Sequence, residues 1–364
     1  MADSLERLTV VIPTYGRPDF VRRQVGFWAG SPVKLVIADG SPHELRVEGI
    51  DVPSNVTYIP TDGDFHSRML RLSEEVSTEF VAVLGDDDFF SPDGLSSCVT
   101  RLDEEPGLVG CVGRSIRFFF QDGRVLAEQR DPDSSEFPES VKSGLERLRS
   151  TYHPGKIGAL FYGVYRTQPW KDVVRSAYSV RFKTGYIYDT IIRTLLTYRG
   201  PIGIQDVLTW YCSSENPPIK SAPGMDRSVG FVDWLTSSET APEVAHCRSL
   251  MVDDLERLGI DSRDEIERAV NFVLDELRHR YEKKALIRQR WTSRLKAWLI
   301  ASSPSAVKRL GKRLMPNALR KSLDWTVIEF ESLIEILIDA GITVSTQDSQ
   351  KIMRAVRETH RSVN

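Results

Sequence analysis

The chain has 364 residues, 41% hydrophobic and 27% charged, a globular composition too apolar for a disordered protein and long enough for one large domain with a smaller partner. Four cysteines, Cys98, Cys111, Cys212 and Cys247, are scattered without CxxC spacing, so neither a zinc site nor a disulfide framework is indicated. The net charge of −3 conceals a division: residues 1–277 carry 30 Lys and Arg against 43 Asp and Glu, residues 278–321 carry 14 against 1, and the remainder 4 against 7.

Along the chain, Leu8–Pro13 is a continuous apolar, β-branched run that predicts a strand. A turn at Thr14–Arg17 follows, with Pro18 opening a helix. Val33–Ala38 and Val56–Ile59 predict further strands, Phe65–Val76 a helix, Phe80–Leu84 a fourth strand, and Pro92 opens a helix to about Glu105. This βαβ rhythm predicts an α/β fold with a largely parallel sheet covered on both faces. Val112–Gln121 and Arg124–Glu128 flank Asp122-Gly123, a hairpin signal. Residues 129–138 predict an exposed loop, and beyond Met225 the text becomes helical, including Asp261–Arg290. The expected division is a catalytic unit over 1–222 and a helical region over 223–364. The first residues carry no apolar signal core, and no run approaches the roughly 18 apolar residues of a membrane span, so the expected location is the cytoplasm.

Directly after the fourth strand comes Gly85-Asp86-Asp87-Asp88-Phe89-Phe90-Ser91-Pro92. Three consecutive carboxylates repel one another unless a cation or solvent neutralises them, and ligands of open α/β sheets gather at this end of the strands. Hard oxygen ligands suit Mg²⁺ or Mn²⁺, which bind through one or two carboxylates while substrate phosphates complete the shell. The competing reading is a solvated acidic turn ahead of the helix at Pro92. The first strand ends in Val11-Ile12-Pro13-Thr14-Tyr15-Gly16-Arg17-Pro18 and the second in Ile37-Ala38-Asp39-Gly40-Ser41, which parallel pairing would bring to the same edge.

VIPTYGRP, then ADGS, then LGDDDFFSP, with YGVYRT at 162–167, resemble in order the family-2 glycosyltransferases of the glycosyltransferase A (GT-A) fold, over about residues 7–215. The bacterial surface-polysaccharide type fits best. That resemblance implies a mixed, mainly parallel sheet flanked by helices and a nucleotide-diphosphate sugar donor, with uridine the expected base. It places Pro13, Thr14, Tyr15 and Arg17 with the nucleotide, Tyr15 stacking on the base. Asp39 falls on the acid that pairs with a uracil-like edge, Asp86 beside the ribose, Asp87 on the metal-binding carboxylate with Asp88 as a further ligand, and Arg68 near the pyrophosphate. Two departures stand out: Gly16 replaces an Asn, and Ala38 replaces a second Asp, leaving Asp39 as the acid there.

If the reaction inverts the anomeric centre, a carboxylate must take the proton of the acceptor hydroxyl. Asp189, the only carboxylate between Asp172 and Asp206, is the candidate, although the family's base position counted from Arg193 falls nearer Ile187. The competing role for Asp189 is a helix N-cap, and Asp206 is the fallback base. His66, His153 and Lys156 are weaker candidates for contact with substrate.

In the basic segment Ile287, Trp291, Leu295, Trp298 and Leu299 share one helical face, with Arg and Lys on the rest. This pattern fits a helix lying in an anionic membrane surface over 287–321, which would hold the protein on the inner face of the cell membrane. Packing on the acidic body and homo-oligomerisation are the alternatives; nucleic acid is not the expected partner. In the tail, Leu333, Ile336, Leu337 and Ala340 predict a buried helical stripe. The resulting expectation is a Mn²⁺- or Mg²⁺-dependent glycosyltransferase acting on a lipid-linked or polysaccharide hydroxyl. A nucleotidyltransferase and an inactive nucleotide-sugar-binding scaffold are the alternatives.

Overall fold

Strand β1 (Leu8–Thr14) is buried almost throughout, as a strand with no polar alternation must be when both sheet faces are covered. It lies between β2 (Lys34–Asp39) and β4 (Phe80–Val83), parallel to both, and β3 (Val56–Pro60) extends the parallel half beyond β2. The computed structural model describes residues 2–47, 49, 51–129, 143–152, 160–215, 229–289 and 327–362.

The other half of the sheet is formed by β5 (Phe89–Phe90), β6 (Gly110–Gln121), β7 (Arg124–Gln129), β8 (Val164–Arg166), β9 (Ile202–Ser213) and β10 (Ile328–Glu329). The path runs β10-β7-β6-β8-β4-β1-β2-β3, with β9 pairing both β5 and β6. The sheet is therefore mixed, as expected. Its parallel character is concentrated in the first four strands and the β6–β9 pair, while β8, β7, β5 and β10 join antiparallel. The hairpin forms where Asp122-Gly123 predicted it, with φ of 51° and 76°, both positive as a type I′ turn requires.

Side-chain alternation along β1 divides the interior in two. Val11 faces a core shared with α3 (Phe65–Glu75), α5 (Gly144–Tyr152), α6 (Thr167–Ala177), α7 (Tyr186–Arg199), α8 (Phe231–Thr236), α9 (Ala241–Glu256) and α10 (Arg263–Gln289). Val10 and Ile12 face a second core shared with α1 (Ala2–Glu6), α2 (Pro18–Trp28), α4 (Pro92–Glu104), α11 (Phe330–Asp339) and α12 (Thr346–Ser362). Helices from beyond residue 223 thus complete both cores.

The tail helix α11 buries Phe330, Leu333, Ile334 and Leu337 and leaves Ile336 52% exposed. The predicted stripe shares Leu333 and Leu337 but starts about one turn too late: the buried i, i+3, i+4, i+7 face begins at Phe330 and takes in Ile334, while Ile336 and Ala340 are exposed. The loop from residue 130, His153, Lys156 and the basic segment from residue 290 lie outside the described residues. Among the described residues no helix is long and apolar enough to cross a membrane.

Candidate active site

Parallel pairing in register, with Thr14 opposite Asp39 and Val11 opposite Val83, brings the ends of β1, β2 and β4 to one edge of the sheet. After β1 the chain turns through Gly16 at φ 65°, a left-handed conformation that costs glycine nothing. The Gly16 N–H donates to Ser41 Oγ at 2.6 Å, tying the first turn to the second.

The three carboxylates after β4 have three different environments. Asp86 is buried and accepts from Thr14 Oγ1 at 2.6 Å and from Arg17 Nη1 at 2.8 Å. Asp87 receives the same Arg17 nitrogen at 3.3 Å. Burial, together with the neighbouring charge of Asp86, pushes the Asp87 carboxyl up to about 6, with Arg17 offsetting part of the effect. Asp88 turns toward β9, where Trp210 Nε1 donates to one oxygen at 3.1 Å and the Ser213 N–H to the other at 2.7 Å. The backbone beneath is fixed as well: Gln24 donates to the carbonyls of Asp86 and Asp88 at 3.0 and 2.6 Å, and Arg23 to that of Asp87 at 2.7 Å.

Among the described residues no three His, Cys, Asp or Glu side chains are grouped to hold a metal by themselves. A Mg²⁺-like ion needs only one or two protein carboxylates when phosphates complete its shell; Asp86 and Asp87 are two carboxylates of that kind, with Arg17 lying between them. Asp88, expected as a second ligand, departs from the expectation: both its oxygens anchor β9.

Beside the pair lies a cavity of about 410 Å³ lined by Tyr15, Gly40, Ser41, Pro42, His43, Arg46, Asp62, Gly63 and Asp64. Arg68, buried on α3, packs its guanidinium over the rings of Tyr15 and Phe65, 5.6 and 5.7 Å from their centroids. It passes directly over Gly40, where a Cβ would collide with it. Burial draws the Arg68 guanidinium below its ordinary range although Asp39, Asp64 and Asp86 oppose this, and its Nε has no hydrogen-bond partner. A buried cation so poorly satisfied is suited to receive an anion.

Four residues expected at the nucleotide are placed differently, Arg17 among them, since it lies outside the cavity lining and pairs with Asp86 and Asp87. Pro13 and Thr14 do not line the cavity, and Thr14 instead holds Asp86. Asp39 is buried behind the wall: Oδ1 accepts from the N–H and the hydroxyl of Ser41, and Oδ2 from the Tyr58 hydroxyl at 2.5 Å. It shapes Ser41 and does not itself present an edge to the cavity. His43, Arg46, Asp62 and Asp64 were missed because isolated polar residues in turns carry no sequence signal.

At the start of α3, Asp64 caps the helix through the Ser67 N–H at 3.1 Å and pairs with Arg181 Nε at 2.8 Å. Burial opposes ionisation of Asp64, but these hydrogen bonds outweigh it and hold the carboxyl well below the usual range. His66, whose pKa is lowered by burial, packs edge-on against Tyr188 with its Nε2 unpartnered. Asp189 sits in the first turn of α7, one oxygen 3.1 Å from Arg193 Nη2 and the other shielded without a partner. It does not line the cavity. The fallback, Asp206, is committed elsewhere: it pairs with Arg114 Nε at 2.9 Å, and its carbonyl accepts from Thr343.

No protein-family model and no curated protein matches the sequence. Among solved structures, the chain is similar to S. aureus TarS 1-349 in complex with UDP-GlcNAc, at 14% identity and TM-score 0.48, covering 98% of this chain and 91% of that one. S. aureus TarS 1-349 alone aligns at 15% identity and TM-score 0.40 over 76% of this chain and 91% of that one. A CMP:2-keto-3-deoxy-manno-octonic acid synthetase complexed with CTP aligns at 12% and 0.32, over 58% and 91%. At such scores the chemistry rests on the geometry of this chain.

Proposed function

We propose that the protein is a glycosyltransferase that moves a sugar from a nucleotide-diphosphate donor, UDP-linked, to a hydroxyl of a lipid-linked or polysaccharide acceptor. The observation that carries this reading is the convergence, at one edge of three parallel strands, of a tyrosine-walled cavity, an under-satisfied buried arginine and a paired carboxylate. A base stacked on Tyr15, with Ser41 and Arg46 at its polar edge, directs its diphosphate toward Arg68 and the Asp86–Asp87 pair.

Asp87, with Asp86 beside it, would hold a divalent ion; bound there, such an ion supplies Lewis-acid stabilisation of the departing diphosphate. Arg68 contributes positive charge to the same leaving group without a proton transfer. Asp189 is proposed as the base that takes the acceptor's proton as the new C–O bond forms, because its second oxygen has no partner. Arg193 orients that carboxylate from 3.1 Å away. The nucleotidyltransferase alternative calls for a Gly-rich basic phosphate loop after the first strand, and Thr14-Tyr15-Gly16-Arg17 carries one glycine and one cation.

Calorimetric titration with UDP and Mn²⁺ tests the reading. The native protein is expected to bind UDP more tightly with Mn²⁺ than without, and Asp87→Ala to lose that difference. An unchanged Mn²⁺ effect in the variant would remove the metal assignment, and no binding of UDP or any UDP-sugar would remove the donor. Binding without transfer or donor hydrolysis would leave the scaffold reading standing.

A further inference from the structure

A single nitrogen, Arg17 Nη1, lies between Oδ1 of Asp86 and Oδ2 of Asp87, 2.8 and 3.3 Å away. Thr14 pins Asp86, and Gln24 and Arg23 hold the carbonyls of the whole triplet. The guanidinium therefore occupies the position between these two oxygens that a cation shared by them would take.

We propose that Arg17 is a built-in counter-cation that competes with the divalent ion for Asp86 and Asp87, and that the donor's diphosphate relieves the competition by giving the guanidinium a new anionic partner. The inference rests on the assignment of Asp87 as divalent-cation ligand. A guanidinium and a divalent ion held against the same two carboxylates would repel each other strongly at such distances, so one excludes the other. The Arg17 backbone carbonyl accepts from the Val21 N–H at 3.1 Å and anchors the start of α2, while the side chain projects from the N-cap position beside the Gly16 turn. Arginine is also the side chain best matched to two phosphate oxygens at once, so a diphosphate is an effective alternative partner. Ion and donor then bind cooperatively, and the coupling is reciprocal.

The test is Mn²⁺ binding followed by electron paramagnetic resonance of the free ion, for the native protein and for Arg17→Gln and Arg17→Lys, with and without UDP. The native protein is expected to bind Mn²⁺ weakly alone and at least tenfold more tightly with UDP. Arg17→Gln, which removes the competing charge, is expected to bind Mn²⁺ alone about tenfold more tightly than the native protein and to gain less from UDP. Arg17→Lys keeps a cation and is expected to stay weak without UDP. An arginine that only bound phosphate, or only supported the fold, would not tighten Mn²⁺ when removed. Equal or weaker Mn²⁺ binding by Arg17→Gln with unchanged near-ultraviolet circular dichroism would overturn the proposal, as would a native protein whose Mn²⁺ affinity ignores UDP. If UDP binds but Mn²⁺ binds none of the proteins in its presence, the Asp87 assignment falls and this proposal falls with it.

Discussion

Asp87 carries opposed consequences for stability and function. Its carboxyl is pushed from 3.8 to about 6 in the folded chain, so above pH 6 the folded state bears a penalty that the unfolded state does not. The penalty is relieved as pH falls through 6 toward 3.8, where both states are protonated. Asp87→Asn should therefore stabilise the protein at pH 8 by on the order of 2 kcal/mol, with the gain fading by pH 4, and thermal unfolding across that range reads it directly. A variant that is more stable yet poorer at holding a cation is the usual mark of a strained site. Asp189 gives the complementary case. Asp189→Asn should keep UDP affinity while turnover falls at least a hundredfold, and near-native kcat would move the base elsewhere.

At the scale of elements, the C-terminal helix α12 reaches back to the loop that follows the carboxylates. Asp348 Oδ2 accepts from Ser91 Oγ at 2.5 Å and from the Asp93 N–H at 3.0 Å, so a residue 255 positions away satisfies an orphan donor of α4. At the other end His360 meets the buried Glu215 at 2.7 Å, and Glu215 pairs with Arg23, the donor to the Asp87 carbonyl. Asp348→Ala would leave a hydroxyl and an N–H unpaired in a buried setting and should cost about 2–3 kcal/mol, measured by urea unfolding. An effect under about 0.5 kcal/mol, the range of ordinary surface substitutions, would show that water replaces the carboxylate.

Across the whole molecule the charge division remains the least absorbed feature. An acidic body of 30 cations against 43 anions over residues 1–277 is followed by a segment with 14 cations and one anion. We infer that the segment docks on anionic lipid, where each engaged Lys or Arg contributes about 1 kcal/mol. Deleting residues 285–321 should abolish co-sedimentation with phosphatidylserine-containing liposomes at low salt and leave neutral liposomes unaffected. Retention on anionic vesicles would place the contact on the acidic body, and a change in oligomeric state instead would assign the segment to a self-interface.

Local patterning determined most of the elements. Apolar runs gave β1 to β4, Pro18 and Pro92 opened α2 and α4, and Asp122-Gly123 made the hairpin, because each depends on neighbours within a few residues. The strand-end motifs likewise meet at one edge of the sheet, because β1, β2 and β4 pair in parallel register. What the chain text left open was the direction each side chain takes there. Asp86, Asp87 and Asp88 are identical in residue type, yet one is held by Thr14 and Arg17, one shares that arginine, and one anchors β9. Asp39 closes on Ser41 and Tyr58 behind the cavity wall for the same reason. Hydrogen-bond partners drawn from strands and helices far apart in the chain assign these roles, and such partners exist only once the sheet has brought them together.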